Sequence, residues 1–373
     1  MRRPLTPWGW DNGRSMEVAI VGLEKAGKST LLRVLAGPRA VAQGRQEHVA
    51  TVHLPDPRLD ALASLLRPKK VTYPNVTFHD LPPWNLQGRA VGGEAATALA
   101  RADALLLVLR SFQREDVPHP LGRVDPEDDY RTLSLELCYH DLAILERRLE
   151  RLQKVASTGP PSEREAAQRE AAVLARARQA LEAERPLREE ELTPEEAKAL
   201  SPYGLLTLKP LLAVVNLDEG QALEAEAIAQ GLEARYGGRH TAFFALCARA
   251  EADLRELPPE EAEAFRRELG LPEDPLPALY RRLLAAAGLV TFYTVVGEEC
   301  RAWLLPAGAT ALEAAARIHT DMARGFIRAE VIGWEALLAA GSLAEARARG
   351  LLRSEGKGYR VQDGDVIHVL FHL

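Results

Sequence analysis

A chain of 373 residues is long enough for two or three domains, each with its own buried core. With 47 Lys+Arg against 53 Asp+Glu the net charge is −6, which excludes a polycation and leaves any nucleic-acid contact to a local basic face. The separation of Cys138, Cys247 and Cys300 argues against structural zinc and for buried thiols in a reducing cytoplasm, and the lack of any run near about 18 apolar residues excludes a membrane span.

Residues 1–15 have no apolar core of the signal-peptide kind and read as a tail or as an upstream misassigned start, the folded pattern beginning at Met16. An apolar strand at 18–21 then delivers the chain to Gly22-Leu23-Glu24-Lys25-Ala26-Gly27-Lys28-Ser29-Thr30, ahead of a helix-like stretch at 31–35. This Gly-x-x-x-x-Gly-Lys-Ser run is a phosphate-binding loop in its proper setting. Gly22 and Gly27 let the backbone curl until successive N–H groups point inward, and the helix N-terminus adds partial positive charge. Lys28 stands where it reaches the β- and γ-phosphates, and the Ser29 hydroxyl where it ligates Mg2+.

Residues 51–54 form a short strand candidate, and 71–79 alternate before ending at Asp80, as a strand leading into a site does. The continuous apolar runs at 105–109 and 211–215 suit strands covered by helices on both faces. Alternation with helical segments implies an α/β fold, a mostly parallel, doubly wound sheet. Between the two runs, Leu135, Leu142, Leu145, Leu149 and Leu152 keep a heptad seam that Leu174 and Leu181 repeat, with a break at Gly159-Pro160-Pro161. That pattern is an antiparallel helical hairpin, or coiled coil, inserted in the sheet domain. Arg147, Arg148 and Arg151 lie off the seam, as a solvated face or an RNA contact. Thr193, Pro194 and Glu196 mark a later helix start, and the sheet is expected to resume at Thr207 and to end with 243–247. From about Val290 small strands and turns follow, at 291–296, 303–305 and 366–371, as a separate α+β module. The expected division is 1–15 tail, 16–121 with 206–287 nucleotide-binding, 122–205 helical and 288–373 C-terminal.

In P-loop GTPases an Asn-Lys-x-Asp segment follows a buried strand, and its last carboxylate accepts the two guanine donors. The corresponding segment here is Asn216-Leu217-Asp218-Glu219. Leu217 replaces the lysine and the longer Glu219 the aspartate, so tight guanine clamping is lost and adenine becomes acceptable.

At this point the sequence resembles the YchF group of Obg-type P-loop NTPases. The likeness runs through nearly the whole chain from Met16: PDPRLDAL at 55–62, GRVDPEDD at 122–129, LERRLERLQK at 145–154, LTLKP at 206–210, IHTDMARGFIRAEVI at 318–332 and VQDGDVIHV at 361–369. The last two motifs are similar to the TGS domain, a β-grasp fold. The resemblance implies a purine nucleotide, ATP/ADP or GTP/GDP, bound with Mg2+, and a ribosome or rRNA partner reached through the TGS and helical parts, with neither membrane nor DNA involved. Carried onto this chain, it implies Lys28 and Asp80 as catalytic residues and Ser29 and Asp80 at the metal. Residues 22–30, Asn216, Leu217, Glu219, Cys247 and Ala248 line the nucleotide. Arg317, His319, Arg324, Lys357 and Arg360 give the C-terminal module local positive charge for RNA.

The departures fall on the γ-phosphate side. Family members read Asp-x-x-Gly where Asp80-Leu81-Pro82-Pro83 stands, and neither proline has an N–H. Trp84 takes the apolar position that follows, no histidine occurs between His79 and His119, and the loop after the first helix offers no threonine to complete the Mg2+ shell; Glu24 and Lys25 replace the family's Pro and Asn. Slow hydrolysis is therefore expected. Three alternatives stay open: an enzyme whose hydrolysis times ribosome attachment, a nucleotide-tuned binding module, and an RNA-binding protein whose P-loop is vestigial.

Overall fold

The computed structural model describes residues 15–37, 49–84, 93–268, 271 and 273–372. Expectations for residues 1–14, for the loop at 38–48 and for the segment at 85–92 fall outside these.

Two six-stranded sheets organise the chain. The first has the order β2 (Val49–His53), β4 (Asn75–Asp80), β1 (Met16–Gly22), β5 (Ala104–Arg110), β6 (Leu211–Asn216) and β7 (Thr241–Leu246). All neighbours are parallel except β2, which runs antiparallel to β4. Every residue of β5 and of β6 is buried, which is why both read as unbroken apolar runs. Helix α1 (Lys28–Ala36) helps cover one face with Val18, Ile20, Leu106 and Val214, and α3 (Gly93–Arg101) lies on the other with Ala19, Leu105 and Leu107.

The second sheet has the order β11 (Arg353–Glu355), β10 (Phe326–Gly333), β12 (Asp365–Phe371), β8 (Leu289–Val296), β9 (Glu299–Pro306) and β3 (Lys70–Thr72). Strands β8 and β9 form an antiparallel hairpin, and β12 runs parallel to β8. A helix at Ala311–Ile318, held at its start by a Thr310/Glu313 capping box, packs on this sheet with Phe292, Ala329 and Ile367. Strand β3 comes from the N-terminal half. The expected single strand at 71–79 is split at Tyr73-Pro74: the ring nitrogen of Pro74 cannot donate to a ladder, so β3 joins β9 in the second sheet and β4 returns to the first. Helix α2 (Pro57–Leu66) bridges the two, burying Leu59 and Leu62 against Tyr293, Cys300 and Leu337.

Helices α4 (Pro126–Thr158) and α5 (Pro161–Glu182) turn back on each other at Gly159-Pro160 and share a core of Leu145, Leu149, Leu152, Leu174 and Leu181. Leu135 stands outside this seam. The first turns of α4 bury Tyr130, Leu133 and Leu137 against the first sheet, and only from Cys138 onward does the helix face α5. Thr193 caps the next helix, α6 (Pro194–Leu200), with the reciprocal Glu196 bond of a capping box. The sheet does not resume at Thr207. Leu206–Leu208 is a 3-10 turn whose first two N–H groups both donate to Asp141 of α4, at 3.0 and 2.7 Å, so β6 begins at Leu211. Buried Lys209 then donates to Ala100 O and Ala102 O, closing the C-terminal end of α3. All three cysteines are buried and unpaired. No helix among the described residues is long and apolar enough to cross a membrane.

Candidate functional site

The loop after β1 is shaped by two close approaches. A Cβ on Gly22 would lie 2.7 Å from Val108 O, and one on Gly27 would lie 2.1 Å from Asn216 Nδ2, with Gly27 also at φ +96°. Only glycine fits at either place. Asn216, at the end of β6, donates from Nδ2 to Ala26 O (3.1 Å) and accepts from Ala248 N–H at Oδ1 (3.1 Å). It thus braces the loop against the first residue of α7 (Ala248–Leu254). Lys25 holds φ +62°, left-handed for a non-glycine residue.

Lys28 is buried, its Nζ donating to Leu23 O at 3.4 Å. Burial pushes its pKa below the ordinary lysine value, with Asp80 and then Glu24 pulling the other way. Ser29 Oγ donates to Asp80 Oδ2 at 2.6 Å, joining the start of α1 to the end of β4. Among the described residues no three His, Cys, Asp or Glu side chains cluster as a metal cage. One hydroxyl and one carboxylate at a phosphate loop do suit Mg2+, a hard cation that keeps waters and takes phosphate oxygens.

Two cavities meet at this loop. One, of about 1460 Å3, is lined by Lys25, Gly27, Lys28, Ser29, Thr30 and Asp80; the other, of about 690 Å3, by Gly27, Thr30, Asn216, Leu217, Glu219 and Cys247. They share Gly27, Thr30, Phe112 and Arg114. The two form one continuous cleft around the loop. Of the other expected residues, Gly22, Leu23, Glu24, Ala26 and Ala248 line neither cavity. Leu23 and Ala26 send their side chains into the two faces of the core and leave only main chain at the loop. Glu24 points to solvent, 4.0 Å from Lys25. Glu219 is two-thirds exposed and 4.0 Å from Arg249, while Leu217 is fixed by its N–H to Leu246 O. Burial raises the Cys247 pKa, which keeps it a thiol.

Sequence reasoning passed over the wall formed by Phe112, Arg114 and Val117. Arg110, buried at the end of β5, donates to Phe112 O (3.1 Å) and Val117 O (2.7 Å) and stacks on the Phe112 ring at 4.4 Å, folding that loop over the cleft. The available signal was the charged residue ending an otherwise apolar strand.

Among the described residues that follow Asp80, 81–84, the main chain turns no amide toward the cleft. Leu81 N–H donates to Ile20 O (3.2 Å) and Trp84 N–H to Gly22 O (3.0 Å), both on β1, and Pro82 and Pro83 have no N–H.

Comparison with known proteins places this geometry. Residues 289–372 match a family described as YchF-GTPase_C, protein of unknown function (DUF933). The chain is 35% identical over 369 residues to the ribosome-binding ATPase YchF of Bacillus subtilis (strain 168), covering 96% of this chain and 100% of that protein. It is also 35% identical over 362 residues to that of Haemophilus influenzae, covering 95% and 98%. A solved structure of the Schizosaccharomyces pombe YchF GTPase superposes with a TM-score of 0.80 at 27% identity, covering 98% of this chain and all of that one. With full-length relatives at this identity, an intact Gly-x-x-x-x-Gly-Lys-Ser loop and the same fold around it, the chain belongs to the YchF family.

Proposed function

We propose that the protein binds a purine nucleoside di- or triphosphate with Mg2+, hydrolyses it slowly, and acts as a ribosome- or translation-associated regulator. One observation carries the reading: the loop that grips the α- and β-phosphates is intact, while 80–84 presents no N–H to a third phosphate. Removing one well-placed transition-state donor costs on the order of 2.7–4 kcal/mol, or 10²–10³ in rate. Lys28 and Asp80 are the residues assigned to the chemistry, Ser29 and Asp80 to the metal, and Asn216, Leu217, Glu219 and Cys247 to the base side. The segments 16–121 and 206–287 form the nucleotide-binding part in this reading, 122–205 a helical arm, and 288–373 a TGS-type β-grasp module. The helix at Ala311–Ile318 crossing a mixed sheet supports the last assignment.

The relatives' names point to the ribosome. Arg324 and Lys357 are exposed and suited to rRNA phosphates, whereas Arg317 and Arg360 donate to Leu304 O and Gly308 O. The Pro82-Pro83 pair favours a second reading of the same site, a binding module that does not turn over. Single-turnover hydrolysis of ATP and GTP beside calorimetric affinities for ADP and ATP separates the two. Slow, Lys28-dependent turnover is expected. Turnover as fast as in a relative with the full Asp-x-x-Gly segment would overturn the slow-hydrolysis reading, and no binding of any nucleotide would overturn both.

A further inference from the structure

The side chain of Trp84 leaves the phosphate cleft and packs at the base of α4, beside the core of the first sheet. Its indole Nε1 donates to Glu136 Oε2 of α4 at 3.3 Å, and its ring meets His140 edge-on, centroids 6.2 Å apart and planes at 67°. His140 Nδ1 lies 3.0 Å from Asp141 Oδ1, and the Asp141 carboxylate is the acceptor for the Leu206–Leu208 turn. The main-chain N–H of Trp84 meanwhile holds Gly22 O, at the mouth of the phosphate loop. One residue therefore grips the loop with its amide and the arm with its indole. Only Leu81, Pro82 and Pro83 separate it from Asp80. Two fixed φ angles and the Leu81 bond to β1 make that tether short and stiff.

We infer that Trp84 is a positioning residue that couples the Asp80 side of the nucleotide site to the α4–α5 arm. The inference rests on the nucleotide reading above and adds a route of regulation to it. The Ser29 hydroxyl donates its hydrogen to Asp80 at 2.6 Å and keeps its lone pairs for a cation, so a cation held there also draws on the Asp80 carboxylate. Any displacement of Asp80 is passed along the proline tether to Trp84, and from there to Glu136 and His140. The segment cannot report a third phosphate through an amide, but it reports the metal through a side chain. Coupling of this kind is reciprocal: loosening the arm's hold on Trp84 must change the metal-dependent part of nucleotide affinity.

The test is ADP calorimetry on the full chain, with and without Mg2+, for the native protein, Trp84→Ala, Trp84→Phe and the Glu136→Ala/His140→Ala double variant. Neither Glu136 nor His140 lines the nucleotide cavities. Affinity without Mg2+ should stay within about twofold throughout, since the loop is untouched. The gain on adding Mg2+ should fall by about fivefold or more in Trp84→Ala and in the double variant, the lower end of measured couplings. Trp84→Phe, which keeps a ring against His140, should recover part of it. An unchanged Mg2+ gain in the double variant overturns the coupling, and so does an equal loss with and without Mg2+. Absence of ADP binding to the native chain would sink this inference, and absence of binding of GDP, ATP and GTP as well would sink the nucleotide reading with it.

Discussion

Gly27 and Lys28 are adjacent, yet they are tied to different properties of the loop. A side chain at Gly27 meets Asn216 Nδ2 and holds a left-handed φ, so Gly27→Ala strains the backbone and dislodges the brace to Ala26 O. Strain of this kind costs on the order of 1–3 kcal/mol. Denaturant unfolding should register a loss of that size together with lost ADP binding. Lys28→Ala should leave the fold intact and abolish binding alone. The lysine also sets a pH dependence. Burial lowers its pKa in the free protein, and an adjacent phosphate raises it again. Between those two values the free side chain is neutral and the bound one charged, so binding takes up a proton. Affinity then declines as pH climbs through the lowered value. Calorimetry of ADP at alkaline pH in buffers of different ionisation enthalpy reads the uptake directly; heats independent of the buffer would contradict it.

The arm is an element with a core of its own. Leu145 is fully buried among α4 and α5 residues, and none of the α5 side chains belongs to the core on either face of the first sheet. Leu145→Ala should cost about 2–5 kcal/mol. Because that loss falls on a separate cluster, hydrogen exchange should quicken within 142–182 and stay slow in β1, β5 and β6. The arm's leucine period was legible in the sequence because helical packing repeats locally. Its change of partner near Leu137 was not, since Leu135 obeys the same period and only the position of the sheet decides which residues face it. The 206–210 segment misled for a similar reason. Its alternation suits a strand, but Asp141 takes the Leu206 and Thr207 amides, and Arg188 binds Lys209 O at 2.6 Å. The phosphate loop was readable because its function is written within nine consecutive residues, 22–30. The Phe112–Val117 wall was not, because its role exists only once Arg110 folds it over the cleft.

For the molecule as a whole, the second sheet is built into the first half of the chain. Strand β3 supplies its edge, with Thr72 Oγ1 donating to Glu299 across a separation of 227 residues, and Lys69 pairing with Glu298 at 2.5 Å. Arg58 joins Asp56 to Asp363 on the far side, and the Tyr293 hydroxyl donates to Asp56 at 2.6 Å. Burial first, and the Asp56 charge second, hold the Tyr293 pKa well above the usual tyrosine value, so this hydroxyl remains a donor throughout the accessible pH range. Beneath these polar ties, Leu59 and Leu62 are wholly buried against residues of 293–346. Removing 288–373 would therefore expose two leucines of α2 and leave β3 as a bare strand edge, a template for pairing between chains. The truncated protein should aggregate, as judged by light scattering at micromolar concentration. Arg58→Ala in the full chain, by contrast, removes polar ties and leaves the apolar contact in place; it should stay monodisperse and melt a few degrees lower, as a change of about 1 kcal/mol does. A soluble 1–287 fragment that bound ADP like the intact chain would show the two sheets to be energetically independent, and β3 to be a contact without consequence.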